Sequence, residues 1–190
     1  ATTFMAQDRE GVDTAHPGDI IGIMSHGRVK IGDSFSQEEP LHFTGVPSFA
    51  PEHFRKVRLD DPFRAKHLGK GLQQLSEEGA IQAFRPLRGN DYILGAVGEL
   101  QFDVTLDRLD DEYNVDAHLT GVPYTCCRWV DGPAEDLEAF EAQNMDSLFR
   151  DADGDLAYLA LSEFRLERTM DNWPRITFAS TKQHTAEQEA

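Results

Sequence analysis

The sequence is poor in cysteine: 190 residues include two, Cys126 and Cys127, and these are adjacent. Neighbouring side chains in an extended segment point to opposite faces, so the pair is badly placed to bridge. This excludes a disulfide scaffold, fits a reducing compartment, and reads as two small strand residues in or near a core. No apolar run approaches the roughly 20 residues of a membrane span. Residues 1–10 hold no basic stretch followed by an apolar one, so no secretory leader is expected. The expected location is the cytoplasm. The first residue is Ala rather than Met, which reads as a processed or excised chain.

Chemistry-bearing motifs are also missing. A phosphate-cradling loop needs glycines followed by a Lys-Ser or Lys-Thr pair. The one Gly-Lys dipeptide, Gly69-Lys70, is followed by Gly71 and lies in an expected helix. There is no guanine-reading Asn-Lys-x-Asp, no His-Glu-x-x-His, no Cys-x-x-Cys and no Gly-x-Ser-x-Gly. The histidines at 16, 26, 42, 53, 67, 118 and 184 are dispersed. Asp151, Asp153 and Asp155 lack the Gly and Glu offsets of a calcium loop and read as a solvated acidic turn. Glu77-Glu78 and Asp110-Asp111-Glu112 read as surface charge near helix ends. No catalytic, cofactor-binding or metal-ligating residues are expected, and the chain is not expected to bind GTP by itself.

What is present is acid, unevenly spread. The net charge of -16 argues against a protein that simply coats nucleic acid. Residues 52–88, however, carry 8 basic and 5 acidic side chains, against 10 and 29 in the rest of the chain. That makes Arg55, Lys56, Arg58, Arg64, Lys66, Lys70, Arg85 and Arg88 the candidate contacts to RNA or an RNA-bound protein, with an ordinary solvated face as the alternative.

Hydrophobic patterning supplies the fold. Residues 20–23 form a short apolar run after the turn His16-Pro17-Gly18-Asp19, Val29 and Ile31 alternate with basic residues, and Leu41 and Phe43 alternate again. These short strands read as the end of a small β-barrel over 1–47, followed by a proline-bearing linker. Phe54, Val57 and Leu59 mark a strand, with a one-residue irregularity. Asp61-Pro62 starts a helix carrying Leu68, Leu72 and Leu75, which Gly79 ends. A hairpin follows through Gly89-Asn90-Asp91. Residues 100–109 are ambiguous: Leu100, Phe102, Val104 and Leu106 alternate as in a strand, yet Phe102, Leu106, Leu109 and Tyr113 keep helical spacing. Length, with Glu99 and Asp103 in the first turn, selects helix, with Asn114 as its C-cap. A strand at 115–119 then completes strand, helix, strand, strand, helix, strand over 52–120: an α+β, ferredoxin-like (split βαβ) domain.

Residues 121–179 read as an α+β extension: a strand at 124–130, a helix carrying Leu137 and Phe140, a mixed stretch at 148–161, a helix capped by Ser162 and a strand at 176–178. Residues 180–190 read as a disordered tail. No internal repeat is expected.

Phe84-Arg85-Pro86-Leu87 followed by Gly95-Ala96-Val97-Gly98-Glu99-Leu100-Gln101-Phe102-Asp103-Val104 resembles the third domain of translational GTPases. In elongation factor G a strand likewise ends in Gly-Glu-Leu and enters a helix ending in Arg-Leu, here Arg108-Leu109. Further blocks resemble the release factor 3 family more closely. They include Pro17-Gly18-Asp19-Ile20-Ile21-Gly22, Phe43-Thr44-Gly45-Val46-Pro47, Phe49-Ala50-Pro51-Glu52, Gly71-Leu72-Gln73-Gln74-Leu75-Ser76-Glu77-Glu78-Gly79-Ala80, Glu112-Tyr113-Asn114-Val115 and Arg128-Trp129-Val130. Cys126-Cys127 and the acidic stretch after Gly132 depart from the family pattern.

The resemblance implies the end of a second-domain barrel, a third domain and an extension that sets the family apart from elongation factor G. It implies a ribosome-dependent GTPase that promotes departure of class I release factors in translation termination. GTP and GDP would be bound by a G domain outside this chain. The partners would be ribosomal RNA and ribosomal proteins, the G domain of the same factor and, indirectly, class I release factors. This part would dock on the ribosome and relay nucleotide-dependent domain motion without catalysing a reaction. The alternatives are another translational GTPase, of the elongation factor G or ribosomal protection type, or a ferredoxin-like small-molecule regulatory domain.

Overall fold

The computed structural model describes residues 2–5, 8–11, 14–22, 34–37 and 47–183. Near the start, β1 (Thr2–Met5) pairs antiparallel with β2 (Asp8–Gly11) and β3 (Ile21–Gly22). The expected strand at 20–23 is present as β3. Those expected around Val29 and Ile31 and around Leu41 and Phe43 lie outside the described residues. The expected linker contains a strand of its own, β4 (Pro47–Phe49).

The first α+β unit forms as its sequence pattern dictates. After β5 (His53–Leu59), the Asp61 carboxylate accepts the Phe63 N–H at 2.9 Å. A single 3-10 turn then leads into α1 (Ala65–Glu77), which buries Leu68, Leu72 and Leu75. β6 (Gln82–Pro86), β7 (Ile93–Ala96), α2 (Leu100–Tyr113) and β8 (Ala117–Gly121) complete the unit. The ambiguous tract is helical because its helical-period members, Phe102 and Leu109, are buried. Leu100 and Val104, which alternation would have paired with them, are 78% and 53% exposed. Asn114 ends α2 in the left-handed conformation at φ 53. At Gly71 of α1 a Cβ would lie 2.8 Å from a Leu109 methyl, so the absence of a side chain lets α1 and α2 approach closely.

The stretch expected as an α+β extension repeats this plan. It runs β9 (Cys126–Asp131), α3 (Ala134–Asn144), β10 (Leu148–Arg150), β11 (Leu156–Ala160), α4 (Glu163–Asn172) and β12 (Thr177–Ala179). The strand orders are β6-β7-β5-β8 and β12-β9-β11-β10, in both cases the 4-1-3-2 arrangement of a split βαβ unit, antiparallel throughout. The expectation of no internal repeat is therefore corrected. Its trace in sequence is Ala96-Val97-Gly98-Glu99-Leu100-Gln101-Phe102-Asp103-Val104-Thr105 against Ala160-Leu161-Ser162-Glu163-Phe164-Arg165-Leu166-Glu167-Arg168-Thr169. The two Thr hydroxyls each donate to the carbonyl four residues back, Gln101 at 2.6 Å and Arg165 at 2.8 Å. Arg55 and Arg128 each donate to the carbonyl of the preceding residue, at 2.9 and 2.7 Å.

The units join edge to edge through β6 and β10, giving one eight-stranded sheet. That sheet cannot be flat. From Gly121, ending β8, to Cys126, opening β9, the chain takes five residue steps, a reach of at most about 18 Å. In the strand order β8 and β9 lie six spacings apart, about 29 Å if flat. The sheet must curl until its helix-free faces meet.

The core has the same shape. Val57, Leu72, Leu94 and Leu109 pack under α1 and α2. Phe140, Tyr158, Leu166 and Ile176 pack under α3 and α4. Phe54, Phe84 and Ile93 of the first unit meet Cys127, Trp129, Phe149 and Leu159 of the second in the concavity, with Val122 and Tyr124 of the connection against them. The irregularity in β5 follows: Phe54 faces the concavity and Val57 faces the helices, so both faces of the strand are buried. Each fully buried side chain of this size contributes about 1.5–3 kcal/mol relative to exposure.

The expected disordered tail is ordered at its start. β13 (Thr181–Gln183) pairs antiparallel with β4. A short polar segment can be held when its backbone hydrogen bonds are satisfied by a neighbouring strand. The rest of that expectation, residues 184–190, lies outside the described residues.

Candidate functional site

The eight candidate cations separate into groups. Pleating sends Arg55 to the helix-bearing face, where its guanidinium donates to Glu99 at 2.9 Å and lies 5.6 Å from the centroid of the Phe102 ring. Lys56 and Arg58 point to the other face and converge on Asp91, Arg58 at 3.6 Å. Arg64, Lys66 and Lys70 follow one another along the 3-10 turn and α1, with Lys66 and Lys70 exposed four residues apart. Arg85 lies opposite Arg150 across the joint between the units. Arg88 stands in the hairpin that precedes β7. Among the described residues, no carboxylate is within ion-pair distance of Arg64, Lys66, Lys70, Arg85 or Arg88.

Lys56 and Arg88 share a groove of about 190 Å³ at one end of the curled sheet. Ile93, Tyr124 and Phe149 supply its apolar floor, and Asp91 and Asp146 its acidic rim. Tyr124 packs edge-on against Phe149, with ring centroids 5.5 Å apart. Burial, with a smaller push from the Asp146 carboxylate, holds the Tyr124 phenol above its ordinary pKa, so it stays a neutral hydrogen-bonding group.

The acidic turn is more organised than its sequence suggests. Asp153 and Asp155 are exposed, as expected, but the Asp151 side chain is 10% exposed. One Asp151 oxygen accepts the N–H groups of Asp153 at 3.0 Å and Asp155 at 2.9 Å. The other accepts the Trp129 indole N–H at 2.9 Å and the Lys182 ammonium at 2.8 Å. Lys182 also reaches Asp153 at 2.7 Å and pairs with Asp155, so the chain's own cation fills the space among the three carboxylates. Burial alone would depress the Lys182 pKa, but hydrogen bonds to the three aspartates outweigh it and hold the ammonium above its ordinary range. Lys182 lay in the expected tail, where charge alone gives no cue. The one available signal was the unusual Asp-x-Asp-x-Asp spacing, which calls for a cation.

The adjacent cysteines follow the pleat. Cys126 faces α3 and α4, and Cys127 faces the concavity. Burial pushes the Cys127 thiol well above its ordinary pKa, which makes it a poor nucleophile.

Curved sheet and outer helices together define an α+β module of two fused split βαβ units. Residues 43–170, two thirds of the chain, match the family described as class II release factor RF3, C-terminal domain. The chain belongs to that family and is the C-terminal region of a factor of the RF3 type. The matched stretch takes in both α+β units as far as α4, while β12 and β13 lie beyond it.

Proposed function

We propose that this chain is the non-catalytic, ribosome-docking region of a class II release factor, a cytoplasmic GTPase in translation termination. GTP hydrolysis belongs to a G domain of the same factor. This region relays the resulting domain rotation and so promotes departure of class I release factors. The observation that carries the reading is the family match across both units. The curled sheet supports it, because two units sharing one interior core move as one body and can act as a lever. Residues 1–47 are then the end of a barrel, residues 52–120 the third domain, and residues 121–179 a second unit rigidly fused to it.

Ribosomal RNA or protein is held by the cations with no carboxylate partner among the described residues, Arg64, Lys66, Lys70, Arg85 and Arg88, with Lys56 and Arg58 paired to Asp91. The experiment reverses Lys66, Lys70 and Arg88 to Glu in the factor with its G domain attached. Ribosome affinity is then measured across a salt series. Affinity should fall at least tenfold, and the slope against log salt should flatten by about one for each phosphate that is no longer neutralised. Unchanged affinity and slope would reduce these residues to solvated surface.

A further inference from the structure

The ribbon formed by β4 and β13 belongs to neither unit's sheet. Its register pairs Thr181 with Phe49, Lys182 with Ser48 and Gln183 with Pro47, and the Ala50 N–H donates to the Ser180 carbonyl at 2.8 Å. A two-stranded ribbon this short is marginal by itself. It must be held by what lies beneath it.

That underside carries polar anchors among the apolar side chains of Ile81, Ala83 and Trp129. From the first unit, the Gln82 amide donates to the Phe49 carbonyl at 2.7 Å. From the second, Asp151, Asp153 and Asp155 take the Lys182 ammonium, whose side chain is 14% exposed. Between ribbon and body is a cavity of about 40 Å³, lined by Ser48 and Lys182 above and by Ser76, Gln82 and Trp129 below. Among the described residues, the Ser76 hydroxyl and the Gln82 carbonyl oxygen find no partner there. The space suits two or three bridging waters, at about 10–15 Å³ each by this measure. The Lys182 ammonium and the Gln82 amide are therefore the directional anchors of the ribbon, beside an apolar lining of Ile81, Ala83 and Trp129.

We propose that Thr181–Gln183 is a strap: Lys182 buttons it, and with it β4, onto the aspartate hairpin of the second unit. β4 is the segment through which the chain enters the first unit. The strap therefore fixes, by reference to the second unit, the direction in which the chain enters the first unit at Pro47. Released, it frees β4 and β13 together and leaves the eight-stranded sheet intact, because neither strand is part of that sheet. The device is intramolecular and does not depend on ribosome docking.

Hydrogen exchange on this chain tests it, comparing the unaltered protein with Lys182→Met, which keeps the aliphatic stem and removes the charge. The Ala50 amide should lose protection at least tenfold in the variant, while amides of Ile93–Ala96 stay within twofold. Asp151→Asn should act in the same direction, and Lys182→Arg should retain most of the protection. In a Trp173→Phe background, the emission of Trp129 should shift with Lys182→Met, because its indole shares the Asp151 oxygen that holds the ammonium. Unchanged protection at Ala50 overturns the strap. Equal loss at Ala50 and at Ile93–Ala96 overturns it too, since Lys182 would then stabilise the whole body.

Discussion

The two α+β units share a topology and differ in how they fill it. The first has helices of 13 and 14 residues over a core in which the aliphatic Val57, Leu68, Leu72, Leu75, Leu94 and Leu109 surround one buried ring, Phe102. The second has helices of 11 and 10 residues, and three of its strands are shorter than their counterparts. It makes up the volume with rings: Phe140 touches Tyr158, Trp173 and Phe178 at centroid distances of 5.7, 5.3 and 5.6 Å. One strand order can thus be stabilised either by many aliphatic side chains along long helices or by a few aromatic ones under short helices. The second solution concentrates stability in fewer residues.

That contrast is broken most directly at its centre. Phe140→Ala should cost about 3–5 kcal/mol, more than any single Leu→Ala under α1. Urea unfolding should still show one transition, because the concave core is common to both units. Two separated transitions would show that the units are stabilised independently.

A smaller effect is expected at Gly95, which matches Leu159 in the repeat. An added Cβ at Gly95 would lie 2.5 Å from Pro51 and 2.8 Å from Phe84, so the first unit fills with a proline the space that the second fills with a leucine. Gly95→Ala should destabilise by about 1–3 kcal/mol, and shortening Pro51 to Ala in the same chain should recover part of that stability in the same melts.

The cores also differ in what they titrate. Cys127 stands where the first unit has Phe54. Its thiol, raised by burial, stays neutral in the folded chain after the unfolded chain has begun to ionise. Its stabilising contribution is full below about pH 8.5 and is lost as pH rises toward the folded value, at up to about 1.4 kcal/mol per pH unit. Cys127→Val should flatten that alkaline decline in denaturant titrations at pH 8 to 10.5.

The smallest effect concerns how each second helix begins. The Ser162 hydroxyl accepts the Arg165 N–H at 3.2 Å, whereas in the first unit Gln101 reaches back to the N–H groups of Val97 at 2.9 Å and Gly98 at 3.0 Å. Ser162→Ala should cost about 1 kcal/mol, read as a shift in melting temperature.

Sequence legibility followed the same divide. The first unit could be read element by element because its helices are long enough to show their period and its turns carry Asp61-Pro62, Gly79 and Asn114. The second unit's elements were visible one at a time, but β10 has three residues and runs into an acidic loop, so 148–161 read as mixed. With three identities in ten, the repeat was too faint to be seen without the strand order. The basic residues were legible as charge but not as partners. Asp91 reaches Lys56 because β5 lies beside β7, a long-range pairing that no local pattern announces. The ordering of Lys182 was hidden for the same reason.

The four residues between β8 and β9 act as a drawstring. With so little slack, neither unit can swing away from the other unless the sheet first tears. Cutting or lengthening that cord near Pro123 would let the scroll unroll and expose Phe54, Phe84 and Trp129 to water, while every strand could keep the pairings it has.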